Sequence, residues 1–262
     1  MVKKLFKHEF WALGRIILPA GFVVVVMGLL ASLSFLLQRN DATATYFSFL
    51  TSIFVVFFAM AMIAFFILTF ILCSVRFYCS MYGKEGYMTF SLPVTPGQLL
   101  TVKTLTAVVM LLYAFLVSLA ALELFSVLQG LDVVKEIFGK LMELFLKADT
   151  PSIGLIVMSI CALVIAPASS LLYVFACMSA GQLFSKNRGL YIVIVYIVAN
   201  QAIGIVFSII QTVIMLSFRN VTDGYIVGYI MLSSVLVQEI AVATASVLFT
   251  CWIIKNKVNL LA

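Results

Sequence analysis

The sequence predicts an all-α membrane protein of six transmembrane helices. It adds an N-terminal interfacial amphipathic helix and a long cytoplasmic loop between spans 2 and 3. Three observations predict this class. First, 65% of the 262 residues are hydrophobic and only 10% are charged, with a mean hydropathy of +1.23. A water-soluble domain needs about a quarter of its residues charged to cover its surface, so most of this surface must face lipid. Second, the apolar residues gather into six runs long enough to cross a bilayer. Third, the charges sit in the gaps between those runs, which removes nucleic acid as the meaning of the +6 net charge. No low-complexity tract and no clear repeat between the halves is visible, so a single domain over 1–262 is the simplest division.

The runs lie at about 16–37, 46–75, 96–128, 152–184, 189–217 and 225–254. The first, at 1.5 Å per residue, reaches about 33 Å, enough for a hydrocarbon core of about 30 Å. Its basic start (Lys3, Lys4, Lys7) and the small residues Ala42-Thr43-Ala44 permit a cleaved signal peptide. The run is longer than a signal core of about 7–15 residues, which favours a retained span. The fourth stretch is uncharged from 150 to 185 and holds Pro167. That is too long for one straight crossing, so a kink at Pro167 or a helix projecting beyond the bilayer is expected.

Lys and Arg concentrate on the cytoplasmic side of a membrane. With the N-terminus inside, that side holds Lys3, Lys4, Lys7, Arg15, Arg76, Lys84, Lys103, Lys186, Arg188, Lys255 and Lys257. The other side holds Arg39, Lys135, Lys140, Lys147 and Arg219, a division of 11 against 5 of the 16 basic residues. Both termini are therefore expected in the cytoplasm, with the chain in the plasma membrane.

Two non-spanning segments carry helical patterns. Residues 2–14 put Leu5, Phe6, Phe10 and Leu13 near one face, flanked by Lys3, Lys7 and Trp11. This suits a helix lying on the inner membrane surface with its lysines towards anionic headgroups; the plainer reading is a basic tail that sets topology. Residues 131–147 align Leu131, Val134, Phe138, Leu141 and Phe145, with Glu136–Lys140 and Glu143–Lys147 as i,i+4 pairs. That helix either caps a cavity or rests at the outer interface.

The segment from Arg76 to Lys103 is long for a turn between membrane helices and is neither flexible nor uniformly polar. Gly83 and Gly86 bracket Lys84-Glu85, and Tyr87, Met88, Phe90 and Leu92 supply apolar side chains beyond them. Aromatic residues beside a paired charge describe a docking surface better than a linker. Thr95-Pro96-Gly97-Gln98 has a capping hydroxyl, a proline at the first helical position and a glutamine at the third. Val94 and Leu99 stand where a hydrophobic staple would join, so the third span should start sharply at Thr95.

On these residues the chain resembles the membrane subunits of ABC-2 type exporters, particularly the permeases of bacterial Firmicutes. The resemblance lies in Phe6-Lys7-His8-Glu9-Phe10 with Arg15, and more specifically in Tyr82-Gly83-Lys84-Glu85-Gly86-Tyr87-Met88-Thr89-Phe90-Ser91-Leu92-Pro93-Val94 followed by Gln98-Leu99-Leu100 and Lys103. Six spans in about 260 residues fit its layout, and the sequence pattern is strong across 82–103. The resemblance implies that residues 1–15 are an interfacial elbow helix. It implies that Gly83, Lys84, Glu85, Gly86, Tyr87, Phe90, Leu92 and Pro93 couple the permease to a separate ABC ATP-binding subunit. It also implies a second, smaller contact at Lys186-Asn187-Arg188, and a homodimer or a heterodimer with a related permease.

Within the spans, Glu239 beside Gln238 and Glu123 near the outer end of the third are the carboxylates. A charge at the bilayer centre is costly, so such groups usually face a cavity or a partner. They are the candidate translocation path, although structural hydrogen bonding is an equal reading for Glu239 and the favoured one for Glu123. Asn200, Gln201 and Gln211 read as interhelical hydrogen-bonding residues. Cys73, Cys79, Cys161, Cys177 and Cys251 form no C-x-x-C pair, and read as apolar packing residues rather than a disulfide or zinc framework.

His8 is the single histidine, and G-x-x-x-x-G-K-[ST], G-x-S-x-G and H-E-x-x-H are all missing. No cofactor, metal or catalysis of its own is expected, and ATP hydrolysis would fall to a partner. Two rivals to the exporter reading stay open: an ion-coupled secondary transporter using Glu239, and a non-transporting membrane scaffold. The apolar spans leave the substrate open among peptides, lipids and hydrophobic drugs, a peptide or other amphiphile being the expectation.

Overall fold

The computed structural model describes residues 2–38, 44–83, 86, 95–127, 139–140, 150–184, 187–218 and 224–256. Six long helices account for nearly all of them: α1 (Val2–Gln38), α2 (Ala44–Tyr82), α3 (Pro96–Val127), α4 (Thr150–Gly181), α5 (Arg188–Ser217) and α6 (Gly224–Asn256). Each is long and apolar enough to cross a membrane. Their outer faces carry large aliphatic and aromatic side chains, among them Phe22, Ile63, Leu116, Leu163, Leu216 and Leu248, and α5 buries no residue at all. In water such a skin would drive association; against acyl chains it is the surface a membrane helix needs.

The helices overrun the expected spans. α1 has 37 residues and α2 has 39, about 55 Å or more each. The segment expected as a separate surface helix over 1–15 is instead the first turns of α1, with no helical break before Ile16. Glu9, Leu13 and Ile17 of this stretch are buried while Trp11 is exposed, so packing continues the helix past the membrane-spanning run. α2 likewise continues through Arg76 to Tyr82, and α3 begins at Pro96, so both helices extend into the segment expected as a loop over 76–103. α4 runs unbroken through Pro167 over 32 residues, so a helix longer than the hydrocarbon core absorbs the extra length. The Ser169 and Ser170 hydroxyls donate to the carbonyls of Ala166 and Pro167 beside the proline. Of the outer segment 131–147, only Gly139 and Lys140 are described, as helix; the remainder lies outside the described residues.

The helices form two compact units. In the first, α1 packs on residues 44–73 of α2 and 106–127 of α3. Its organising feature is a heptad of glycines within α1, Gly14, Gly21 and Gly28, interleaved with the buried Ile17, Val24 and Ala31. A seven-residue period keeps one face of a slightly supercoiled helix on its neighbours. The absent side chains are filled from both sides. A Cβ on Gly21 would meet the Tyr113 hydroxyl at 2.8 Å and Phe65 at 3.3 Å, and one on Gly28 would meet Phe58 at 3.0 Å and the Ala121 carbonyl at 3.1 Å. Small residues that let helices approach closely replace the hydrophobic drive that lipid removes. The contact order makes α1 antiparallel to α2 (Ser34 to Thr51, Gly28 to Phe58) and parallel to α3 (Gly14 to Met110, Gly28 to Ala121).

The second unit contains α4, α5 and α6 with residues 74–82 of α2 and 96–105 of α3. α4 packs most extensively on α6. They run parallel, with Leu155 near Gly228 and Ser169 on Glu239. α5 returns antiparallel beside α4, with Tyr173 on Tyr196 and Gly181 on Ile192.

Gly28→Val should destabilise the protein by about 1–3 kcal/mol, the range for forced overpacking. Gly204→Ala, at a position with nothing within 4 Å, should not. Thermal unfolding of both variants in detergent checks this; equal stability of the two would remove the glycine ladder as a packing device.

Candidate functional site

The loop singled out from the sequence begins and ends on anchored helices. At its start, the Gly83 amide donates to the Cys79 carbonyl at 3.1 Å and the Gly86 amide to the Gly83 carbonyl at 2.9 Å. A Cβ on Gly83 would strike the Cys79 backbone, so glycine permits the close turn that ends α2. Gly86 is buried. Lys84, Glu85, Tyr87, Phe90, Leu92 and Pro93 lie outside the described residues, as does Val94 of the expected staple.

At the far side, the Thr95 amide donates to Gln98 Oε1 at 3.2 Å and the Gln98 amide donates to Thr95 Oγ1 at 3.3 Å. This is the reciprocal capping box expected from the sequence, and it starts α3 at Pro96. Leu99 and Leu100 behind it are buried.

Both ends are then tied into the second unit. Lys103, only 5% exposed, donates from Nζ to Ser80 Oγ of α2. The Tyr82 hydroxyl donates to Ser179 Oγ of α4 at 2.6 Å, and Phe77 stacks on Phe175 with centroids 3.9 Å apart and planes at 8°. A buried ring stack and two interhelical hydrogen bonds make the α2 terminus, the α3 start and the C-terminal half of α4 one body. Sequence analysis marked Lys103 through its resemblance but missed Ser80, Phe77, Phe175 and Ser179. Those residues are unremarkable until the helices meet.

Further along the same unit lies an intramembrane polar cluster. Glu239 sits 15 residues into the 33-residue α6, about 23 Å from its start and so near the helix middle. Its Oε2 accepts a hydrogen bond from Ser169 Oγ of α4. Gln211 Nε2 of α5 donates to Ser234 Oγ at 2.9 Å and Gln238 Oε1 at 3.4 Å. The Gln238 Nε2 is buried and finds no acceptor among the described residues. Five polar residues from three helices thus gather at bilayer depth with donor capacity left over. Such a group can receive a polar substrate moiety, a water or an ion.

Glu123 is placed differently. It belongs to the other unit, where Ser126 of its own helix donates to its carboxylate at 3.3 Å. Of the three amides expected to join helices, Gln211 does so, while Asn200 and Gln201 are exposed on α5.

Beside the cluster runs an apolar groove of ≈ 570 Å³ between α4, α5 and α6. Alanines make its walls, Ala176 and Ala180 from α4, Ala199 and Ala202 from α5, and Ala241 and Ala245 from α6; Tyr173, Phe207 and Phe249 bound it. The alanine pairs at three- and four-residue spacing were a signal available in the sequence. A second cavity of ≈ 580 Å³ opens between the end of α5 and the start of α6, against Gln211, Met215, Val227 and Met231. The cysteines divide: Cys73 and Cys177 are buried and Cys251 is half-buried, but Cys79 and Cys161 are exposed. The packing expectation therefore fails at those two, because helix rotation turns them outward. No cluster of metal-ligating side chains occurs among the described residues.

Fold and site together define a helical, multi-pass membrane protein with a polar cluster and an apolar groove in its α4–α6 bundle. No protein-family model, curated protein or solved structure matches the chain.

Removing the Thr95 hydroxyl (Thr95→Ala) should cost about 1 kcal/mol, the value of a lost N-cap, read as a lower thermal midpoint in detergent. Ser169→Ala and Glu239→Gln should be non-additive in a double-mutant cycle, coupled by about 0.6–1.7 kcal/mol. Additive effects would mean the contact contributes nothing.

Proposed function

We propose that the chain is the permease subunit of an ATP-driven ABC-2 type exporter. It would form the translocation path and couple to a separate ATP-binding subunit. One observation carries the reading: the two ends of the 83–95 loop are locked, through Phe77, Tyr82, Ser80 and Lys103, to the helix α4 that bears Ser169. Ser179 lies ten residues beyond Ser169 on that unbroken helix, about 15 Å away. Closure of the ATPases presses on Gly83, Lys84, Glu85, Gly86, Tyr87, Phe90, Leu92 and Pro93, and the rigid α2–α4 joint carries the displacement up α4. Ser169 then shifts against Glu239 of α6, and the polar cluster opens. A stiff helix moving against a parallel neighbour is a shear motion, and it needs no nucleotide motif in this chain.

In this reading the permease sits in the plasma membrane with both termini cytoplasmic. It pairs as a homodimer, or as a heterodimer with a related permease, and two ATPases complete the assembly. The joined polar cluster and apolar groove suit an amphiphile such as a peptide. Replacing Glu85 and Tyr87 together by alanine should abolish co-purification of the ATPase and stop export, with folding checked by gel filtration. Undiminished ATPase association and transport would overturn the proposal.

The Ser169–Glu239 contact inside a polar cluster also favours a second reading, an ion-coupled carrier in which Glu239 binds the ion. The two separate on Glu239→Gln: a carrier loses ion-gradient-driven uptake, whereas the exporter keeps its nucleotide-dependent activity and its ATPase.

A further inference from the structure

We infer that the outward face of α5, at Asn200, Gln201 and Gly204, is where a second copy of this chain docks. The inference gives the homodimer of the exporter reading a surface. Its premises are only helices that span a bilayer, so the two are tested separately.

Asn200 and Gln201 stand twelve and thirteen residues after Arg188, the first of the 30 residues of α5. That is about 18–20 Å along a helix of about 45 Å, close to the bilayer centre. Both side chains are exposed, and neither makes a hydrogen bond among the described residues. The hydroxyls on the same helix differ: Ser208, Thr212 and Ser217 donate to the carbonyls of Ile205, Ser208 and Val213. A hydroxyl satisfies itself within its own helix, and these two amides do not. Each carboxamide brings two donors and an acceptor, and hydrocarbon offers them no partner. Headgroups and water begin about 15 Å away on either side. Whatever covers this face must bring donors and acceptors to the same depth.

A second copy does so by symmetry. The distribution of Lys and Arg inserts every copy in one orientation, so a twofold axis runs along the membrane normal. Each residue then lies at the depth of its counterpart. Asn200 of one copy meets the same residue of the other, and an amide is its own complement, the N–H of each donating to the C=O of the other. Interhelical amide pairs of this kind join membrane helices.

The backbone at this face allows the approach. A Cβ on Gly204 would meet nothing within 4 Å, whereas Gly21 and Gly28 of α1 are filled from within the chain. Asn200, Gly204 and Ser208 follow four-residue spacing and form one ridge. At 100° per residue, Gly204 stands about 140–180° round α5 from Val195, Ala199, Ala202 and Val206, which line the groove towards α4 and α6. α5 buries no residue, and Ile197 and Ile205 are exposed beside the ridge. A glycine within such a ridge lets two helices cross closely at about −40°. An acyl chain would cover Gly204 and leave the amides unmet. A different membrane protein would need amides or hydroxyls at this depth on a matching ridge, which a second copy already has.

The test is Förster transfer between donor- and acceptor-labelled full chains, without an ATPase, in phosphatidylcholine–phosphatidylglycerol vesicles of varied protein-to-lipid ratio. Transfer should saturate at the level of a dimer. Asn200→Leu combined with Gln201→Leu should raise the half-saturating ratio about threefold to twentyfold, the factor that one interhelical hydrogen bond supplies in a bilayer. Gly204→Ile should raise it as well, and Asn200→Gln, which keeps the amide, should raise it less than the leucine pair. Ser159→Leu, which replaces an exposed hydroxyl bonded to the Ile156 carbonyl of its own helix, should leave it unchanged. A separate variant keeps the face open to test if the leucine pair fails to fold: Gly204→Cys, with Cys79, Cys161 and Cys251 replaced by alanine, should form a covalent dimer on oxidation. Transfer absent at every ratio, half-saturation unchanged in both the leucine pair and Gly204→Ile, or no covalent dimer from Gly204→Cys would each overturn the assignment. Transfer that appears only when a related permease is added would overturn it too, in favour of a heterodimer.

Discussion

Hydrocarbon offers a peptide N–H or C=O no partner, so every segment that crosses it must close its own hydrogen bonds. The rest of this protein follows from that constraint. It turns the apolar runs into helices, and it reaches the small hydroxyls as well. Thr69, Ser118 and Thr250 each donate to the carbonyl four residues back and are buried without needing water. Once backbone and hydroxyls are satisfied locally, helix association must come from close packing and from the few side chains that cannot satisfy themselves.

The two units answer that need differently. In the first, glycine at every seventh residue of α1 admits Phe58, Phe65 and Tyr113 to the helix backbone, and van der Waals contact does the work. In the second, polar side chains join the helices: Ser169 to Glu239, Gln211 to Ser234, Tyr82 to Ser179 and Lys103 to Ser80. Glycine packing tolerates little rearrangement, because the backbone itself is the contact surface. Hydrogen bonds between hydroxyls and amides can be exchanged for others at modest cost. The second unit also packs on glycine, with Gly154 against Tyr229 and Gly181 against Ile192, and it holds the groove and Glu239.

The end of α2 and the polar cluster, read separately from the sequence, both meet α4, Tyr82 at Ser179 and Glu239 at Ser169. A close turn at Gly83 ends α2, and a capping box at Thr95 starts α3. The Phe77–Phe175 stack joins the end of α2 to α4.

By itself the sequence determined the helical class, the six apolar segments, the sharp start of α3 at its capping box and the presence of carboxylates in the spans. These rest on local physics: hydropathy, run length and side chains that bond within three or four residues. Only the tertiary structure decided that residues 2–14 continue α1, that α2 reaches Tyr82, and that Gly14, Gly21 and Gly28 form one packed face. Only it decided that Ser169 meets Glu239 rather than Glu123, and that Cys79 and Cys161 turn outward. Helix ends, rotation and partner choice depend on which faces meet, and in a chain whose helices are apolar on nearly every side the hydrophobic pattern carries no record of that choice.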